Sequence, residues 1–106
     1  MYIGWVDMGY ICGQIKVEWD DNKNRLNKKK HGLSFELASR IFDDDMRLEE
    51  YDEEHSVNGE ERYISIGLVN KVLTVVHTDR QDAIRIISAR FANKEEKERY
   101  YGQYNY

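Results

Sequence analysis

Three runs rich in β-branched residues, joined by only a few residues each, constrain this chain more than any other feature. They are residues 62–68 (RYISIGL), 71–78 (KVLTVVHT) and 84–89 (IRIISA). In the first, alternation sets Ile64 and Ile66 on one face and Tyr63 and Ser65 on the other. Val69-Asn70 and the polar stretch 79–82 are short turns, so the pattern predicts an antiparallel meander. A fourth short strand is expected at residues 16–19 (KVEW).

Helices frame these strands. Asp20 is a good N-cap for a helix running to Lys30, and Gly32 is its expected stop. Ser34 opens a second helix, in which Phe35, Ala38, Ile41 and Phe42 recur at helical spacing as a buried stripe. Asn93 caps a last helix over 94–101, with Glu95 and Glu96 near its positive end. Helices and strands in this order predict an α+β domain, with an antiparallel β-sheet packed against helices gathered on one side. The expected organisation is an N-terminal extension at 1–15, one domain at 16–101 and a frayed tail at 102–106.

Composition narrows the function classes. A chain of 106 residues holds one core, and a domain this small is marginal alone, so a covering partner is physically useful. No run approaches the roughly 18 apolar residues of a membrane span. The first fifteen residues lack a basic opening and a cleavage site, so no signal peptide is expected. One cysteine, Cys12, makes no internal disulfide, and a reducing cytoplasm is the default location. One cysteine and three scattered histidines fit no zinc template, and no phosphate-cradling glycine loop is present, so no metal or other cofactor is expected.

Net charge is −4, which argues against simple nonspecific binding to nucleic acid. The distribution says more. Residues 43–61 hold ten acids against Arg47 alone, and basic segments flank them on both sides. Solvated faces explain such runs most simply. The sharper reading is a basic face that meets phosphate.

Residues 19–42 carry a pattern that resembles the opening signature of BrnT-type toxins: Trp19, Asp20, Lys23, Asn27, Lys30, His31, Gly32, Ser34, Phe35 and Ala38. Glu61-Arg62, Gly67, Val75 to Thr78, Arg80, the run IRIISAR at 84–90, and Glu98, Arg99 and Tyr100 extend the resemblance across residues 16–101. Residues 1–15 depart from it, and stand as an extra strand, an interaction arm or an upstream start. The resemblance implies a compact RelE-like fold and metal-independent endoribonuclease activity that inhibits translation. It also implies a BrnA-type antitoxin partner, whose ribbon-helix-helix domain does the DNA binding.

Cleavage of RNA through its own 2′-OH needs a base, positive charge on the phosphate and an acid for the departing 5′-oxygen. Arginine suits the phosphate because its fork bonds two oxygens at once. Arg62, Arg85, Arg80, Glu61 and His77 are therefore the candidate catalytic residues, and Lys30, His31, Arg90 and Tyr100 the candidate RNA contacts. Each has a plainer explanation. The arginines could pair with the acidic segment, His31 could be a helix C-cap, and His77 could be a core histidine. Tyr63, Tyr101, Tyr104 and Tyr106 are further stacking candidates, for which core or tail packing competes. Two rival functions remain: a non-catalytic partner-binding module or degenerate toxin that only pairs with an antitoxin, and a DNA-binding regulator, against which the lack of a helix-turn-helix pattern counts.

Overall fold

The computed structural model describes residues 7–12 (as backbone), 15–56 and 59–104. The ends of the expected extension and tail, residues 1–6 and 105–106, lie outside the described residues, as does the side chain of Cys12. In chain order the elements are β1 (Asp7–Cys12), β2 (Ile15–Asp20), α1 (Asp21–His31), α2 (Phe35–Ala38), a 3₁₀ turn (Ser39–Asp43), β3 (Leu48–Tyr51), β4 (Arg62–Val69), β5 (Lys71–Arg80), β6 (Ala83–Phe91) and α3 (Lys94–Gly102).

Among the described residues the strands form one sheet of order β1-β2-β6-β5-β4-β3. The meander β4-β5-β6 is antiparallel as its sequence predicts, turning at Asn70 and Gln81, both with positive φ. The sheet as a whole is mixed and not antiparallel, because β2 runs parallel to β6 over Lys16–Glu18 and Ala83–Arg85. That pairing joins residues more than sixty positions apart, so no local pattern announces it. β1, from within the N-terminal segment, adds an antiparallel edge strand beside β2. β3 is a second departure: the acidic segment holds a strand, LEEY, paired to β4.

The cores lie on both faces. One gathers Val17, Trp19, Leu73, Val75, Ile86 and Ala89 of the sheet beneath Leu33, Phe35, Ala38, Ile41 and Phe42. The stripe expected of the second helix is therefore buried, but α2 tightens into the 3₁₀ turn after Ala38. Gly67 lets that turn approach: a Cβ there would lie 2.8 Å from Cβ of Ile41. The other core joins Ile66, Val72, Ala92 and Tyr100. It places α3 on the opposite face, so the helices are not gathered on one side. The two faces are linked at Asp44, which accepts from Leu68 N–H at 2.9 Å, from Met46 N–H and from the Tyr100 hydroxyl. Burial pushes the Asp44 carboxyl up, yet these hydrogen bonds and the Arg47 charge outweigh it and hold it below its ordinary value. Past Gly102 the chain stays tethered, with Gln103 Nε2 donating to the Met46 carbonyl at 2.8 Å.

α1 is set by its ends and by one buried amide. Asp20 caps it by accepting from Asn22 N–H, and Gly32 ends it at φ 69°. Asn27 is buried, donating to the carbonyls of Leu33 (2.9 Å) and Ala89 (2.8 Å) and accepting from Ala89 N–H (3.1 Å). Removing it strands three buried backbone groups, each of which costs on the order of 1–3 kcal/mol when unsatisfied. Asn27→Ala is expected to lose roughly 3 kcal/mol or more in urea unfolding on that basis. Leu26→Ala, at an exposed position one residue earlier, is expected to stay within about 0.5 kcal/mol.

Candidate functional site

Residues directly opposite one another across neighbouring strands share a face, so the register fixes where the arginines project. Arg62 pairs with Thr78, Thr78 with Arg85, and Arg85 with Glu18, in one row across four strands. Arg80 pairs with Ala83, which pairs with Lys16, in the next row outward. Arg90 pairs with Thr74 on the side of α3. Arg62, Arg80, Arg85 and Arg90 therefore leave the same face. Strand spacing puts the Arg62 and Arg85 backbones about 10 Å apart. α3 covers this face over Ile66, Val72 and Thr74 and reaches Arg90 through Glu96, while in the row itself the Arg62 side chain is 31% exposed and that of Arg85 11%.

Three of the four arginines carry a carboxylate. Arg62 Nε lies 3.1 Å from Glu60, and Arg85 Nη1 lies 2.6 Å from Glu18. Arg90 grips Glu96 with both arms, at 2.7 and 2.9 Å. Glu96 also accepts from Thr74 and from Asn93 N–H, and closes the capping box of α3. Burial pushes the Glu96 carboxyl up, but the Arg90 fork and these hydrogen bonds win and hold it below its ordinary value. Only Arg62 of this set takes its partner from the acidic segment. Glu18 and Glu96 are partners the sequence reading missed, and the one local hint was Glu18 inside the alternating KVEW run. Arg80 has no carboxylate within 4 Å among the described residues.

Beside the row, at the outer end of β4 and β5, lies a cleft of about 290 Å³ lined by Glu60, Glu61, Tyr63, Thr78 and Arg80, among others. Thr78 is shared by row and cleft, and its hydroxyl donates to the Glu61 carbonyl at 2.6 Å, tying the Glu60–Glu61 segment to β5. Tyr63 Oη lies 3.4 Å from the Glu61 carboxylate, whose charge pushes the phenol above its ordinary value and keeps it protonated. The cleft thus brings together three acids, Glu60, Glu61 and Asp79, the Tyr63 phenol, which reaches it from the His77 face, and an Arg80 guanidinium with no carboxylate within 4 Å among the described residues.

The remaining predicted residues stand elsewhere. His77 is 1% exposed and sits on the other face, against the Phe42 ring and stacked on Tyr63, with Nε2 2.7 Å from the Ser65 hydroxyl. Tyr100 is buried, and burial together with its bond to Asp44 pushes its phenol far up, so its ring packs in the core and does not face solvent. Lys30 and His31 close α1 and belong neither to the row nor to the cleft. Among the described residues no group of three or more His, Cys, Asp or Glu is disposed to hold a metal ion, and no helix is long and apolar enough to cross a membrane.

Burial, and secondarily the Arg47 charge, lowers His77 from 6.5 to about 4. Between those values the unfolded chain binds a proton that the folded chain refuses, so stability falls as pH drops from 6.5 towards 4. The full effect is on the order of 3 kcal/mol. Urea unfolding across this window is expected to show that slope in the wild type and to lose it in His77→Gln, which keeps a polar group beside Ser65.

A protein-family model described as "Ribonuclease toxin, BrnT, of type II toxin-antitoxin system" matches residues 19–96. A search of curated proteins finds no match.

Proposed function

The chain belongs to the BrnT family of ribonuclease toxins of type II toxin–antitoxin systems, and from that premise we propose that it is a metal-independent endoribonuclease whose catalytic surface is the arginine face with its adjoining cleft. The observation that carries the reading is the cleft at the sheet's outer end, where Glu61 and Tyr63 meet Arg80, the end residue of the strand face that also bears Arg62 and Arg85. A sheet face holds four arginines only where salt bridges or a polyanion answer them.

In the proposed reaction the Glu61 carboxylate takes the proton of the 2′-OH, and the freed oxygen attacks the neighbouring phosphorus. Arg80, which lines the cleft, holds the equatorial oxygens as charge gathers on them, and Arg62 adds positive charge from the adjoining row. The bond from phosphorus to the 5′-oxygen breaks, and the Tyr63 phenol protonates that oxygen, leaving a 2′,3′-cyclic phosphate. Cleavage of messenger RNA by this route inhibits translation. His77, neutral and enclosed on the other face, takes no part in the scheme.

The rest of the reading follows from the family. The fold is proposed to be of the RelE-like kind. The partner is proposed to be a BrnA-type antitoxin with a ribbon-helix-helix domain, so DNA is met only through that partner. Occlusion of the arginine face is the simplest means of silencing it.

Arg62, half-buried and paired among the described residues only to Glu60, is the better probe of the chemistry. Arg85 side-chain exposure is 11%, and its loss strands Glu18, so it tests stability as well. Arg62→Ala, Arg80→Ala and Glu61→Gln are expected to melt near the wild type and to lose cleavage roughly 100-fold, the scale of a missing charge-stabilising donor. Arg62→Lys should recover part of it, keeping charge without the fork. Cleavage should survive EDTA. Activity that needs added magnesium or zinc would overturn the metal-free route. No cleavage of any RNA, with ribosomes or without, while antitoxin binding persists, would assign the chain to the non-catalytic module.

A further inference from the structure

At the opposite end of β5 from the Glu61 cleft, the β4–β5 turn, the end of β6 and α3 enclose two adjoining depressions of about 360 and 450 Å³. They share a wall made by Lys97 and Tyr101, one helical turn apart on α3. Phe91 and Lys71 line the first and Lys94 the second. The two aromatic rings are among the most exposed in the chain, Phe91 at 44% and Tyr101 at 48%. α3 is anchored by Glu96, Tyr100 and Gln103 on its other side, and Tyr101 meets the core edge-on at Tyr100, with ring centres 5.4 Å apart.

The charge here differs from that of the arginine row. Lys71, Lys94 and Lys97 have no carboxylate within 4 Å among the described residues, whereas Arg62, Arg85 and Arg90 each have one. Lys71 Nζ instead sits 5.5 Å from the centre of the Phe91 ring. Glu98 on the rim is the one acid among the lining residues. Exposed rings beside unanswered ammonium groups match a ligand that carries a flat face and an anion on the same repeating unit. An apolar peptide anchor would cover the rings and leave the lysines unanswered.

We propose that this double depression binds single-stranded RNA, stacking nucleobases on Tyr101 and Phe91 while Lys71, Lys94 and Lys97 hold the flanking phosphates. It is a substrate-holding subsite distinct from the cleavage cleft, set apart from it by the length of β5. The inference rests on the ribonuclease reading for its choice of RNA. A ten-residue strand spans roughly 30 Å, so the site engages a part of the strand remote from the scissile phosphate. A contact equally strong in the ground state and the transition state sets affinity and leaves the chemical step unchanged, and the subsite is proposed to act in this way.

The test uses the full chain and a short non-cleavable 2′-O-methyl oligoribonucleotide, with affinity read by fluorescence anisotropy. Tyr101→Ser and Phe91→Ser should each weaken binding by roughly 5- to 100-fold, and Tyr101→Trp should restore it, as stacking on any aromatic face predicts. Lys97→Gln should lower the slope of log affinity against log salt by about 0.7. On cleavable RNA, Tyr101→Ser should raise KM and leave kcat unchanged. Unchanged oligonucleotide affinity in Tyr101→Ser and Phe91→Ser would overturn the subsite. If Arg62→Ala abolishes cleavage at the same time, the proposed function stands without it. Absent cleavage with Tyr101-dependent affinity would overturn the function and keep the subsite. Lost antitoxin binding with unchanged RNA affinity would give the surface to the protein partner and overturn the proposal.

Discussion

One side-chain amide holds the two halves of this molecule in register. Asn27 presents its oxygen and its nitrogen to the N–H and C=O of Ala89, the same pair of bonds a neighbouring strand would offer. It does so where it is needed. β2 accompanies β6 only as far as Arg85, after which the chain has left for α1. Without the amide, the far edge of β6 would bury an unmet donor and acceptor. The third bond, to Leu33, fixes the turn that delivers Ser34 and Phe35 to the cap and core of α2. β6 carries both Arg85 and Arg90, so the arginine face inherits its geometry from this clasp.

The clasp also separates what builds the fold from what is free to act. Trp19 and Phe35 meet edge to face in the core, Asp20 and Ser34 cap helices, and Gly32 takes the left-handed turn. Those residues of the family-like opening pattern are accounted for by folding alone. Lys23 and Lys30 of the same pattern are exposed and make no such contribution. The activity proposed for the chain draws instead on the sheet, where arginines replace the apolar residues that a buried face would require.

Much of this was legible in the sequence. Period-two runs predict the meander, and the Asp20 and Gly32 signals bound α1, because strand alternation and helix capping act over a few residues. What was not legible depends on residues far apart or on signals that cancel. LEEY reads as solvated loop because Glu49 and Glu50 hide the pairing of Leu48 with Ile66. The parallel β2–β6 pair and the Glu18–Arg85 bridge connect positions that sequence proximity never relates. His77 alternates with Leu73 and Val75, which points equally to a core and to a strand-end site. Only its enclosure between Phe42 and Tyr63 decides for the core. The candidate arginines were identifiable by type, whereas their common face needed the register.

The short strand β3 has a consequence for the whole molecule's behaviour in a crowded solution. It is the outer strand on its side of the sheet, and its free edge offers backbone groups to any strand that approaches. A second copy docking there antiparallel and centred on this strand would set Glu49 opposite the copy's Glu50 and Glu50 opposite its Glu49, at about 5 Å between opposed side-chain stems. Repulsion between those carboxylates makes self-pairing along this edge unfavourable near neutral pH. The acidity that disguises the strand in the sequence thereby keeps the sheet from growing from one molecule into the next.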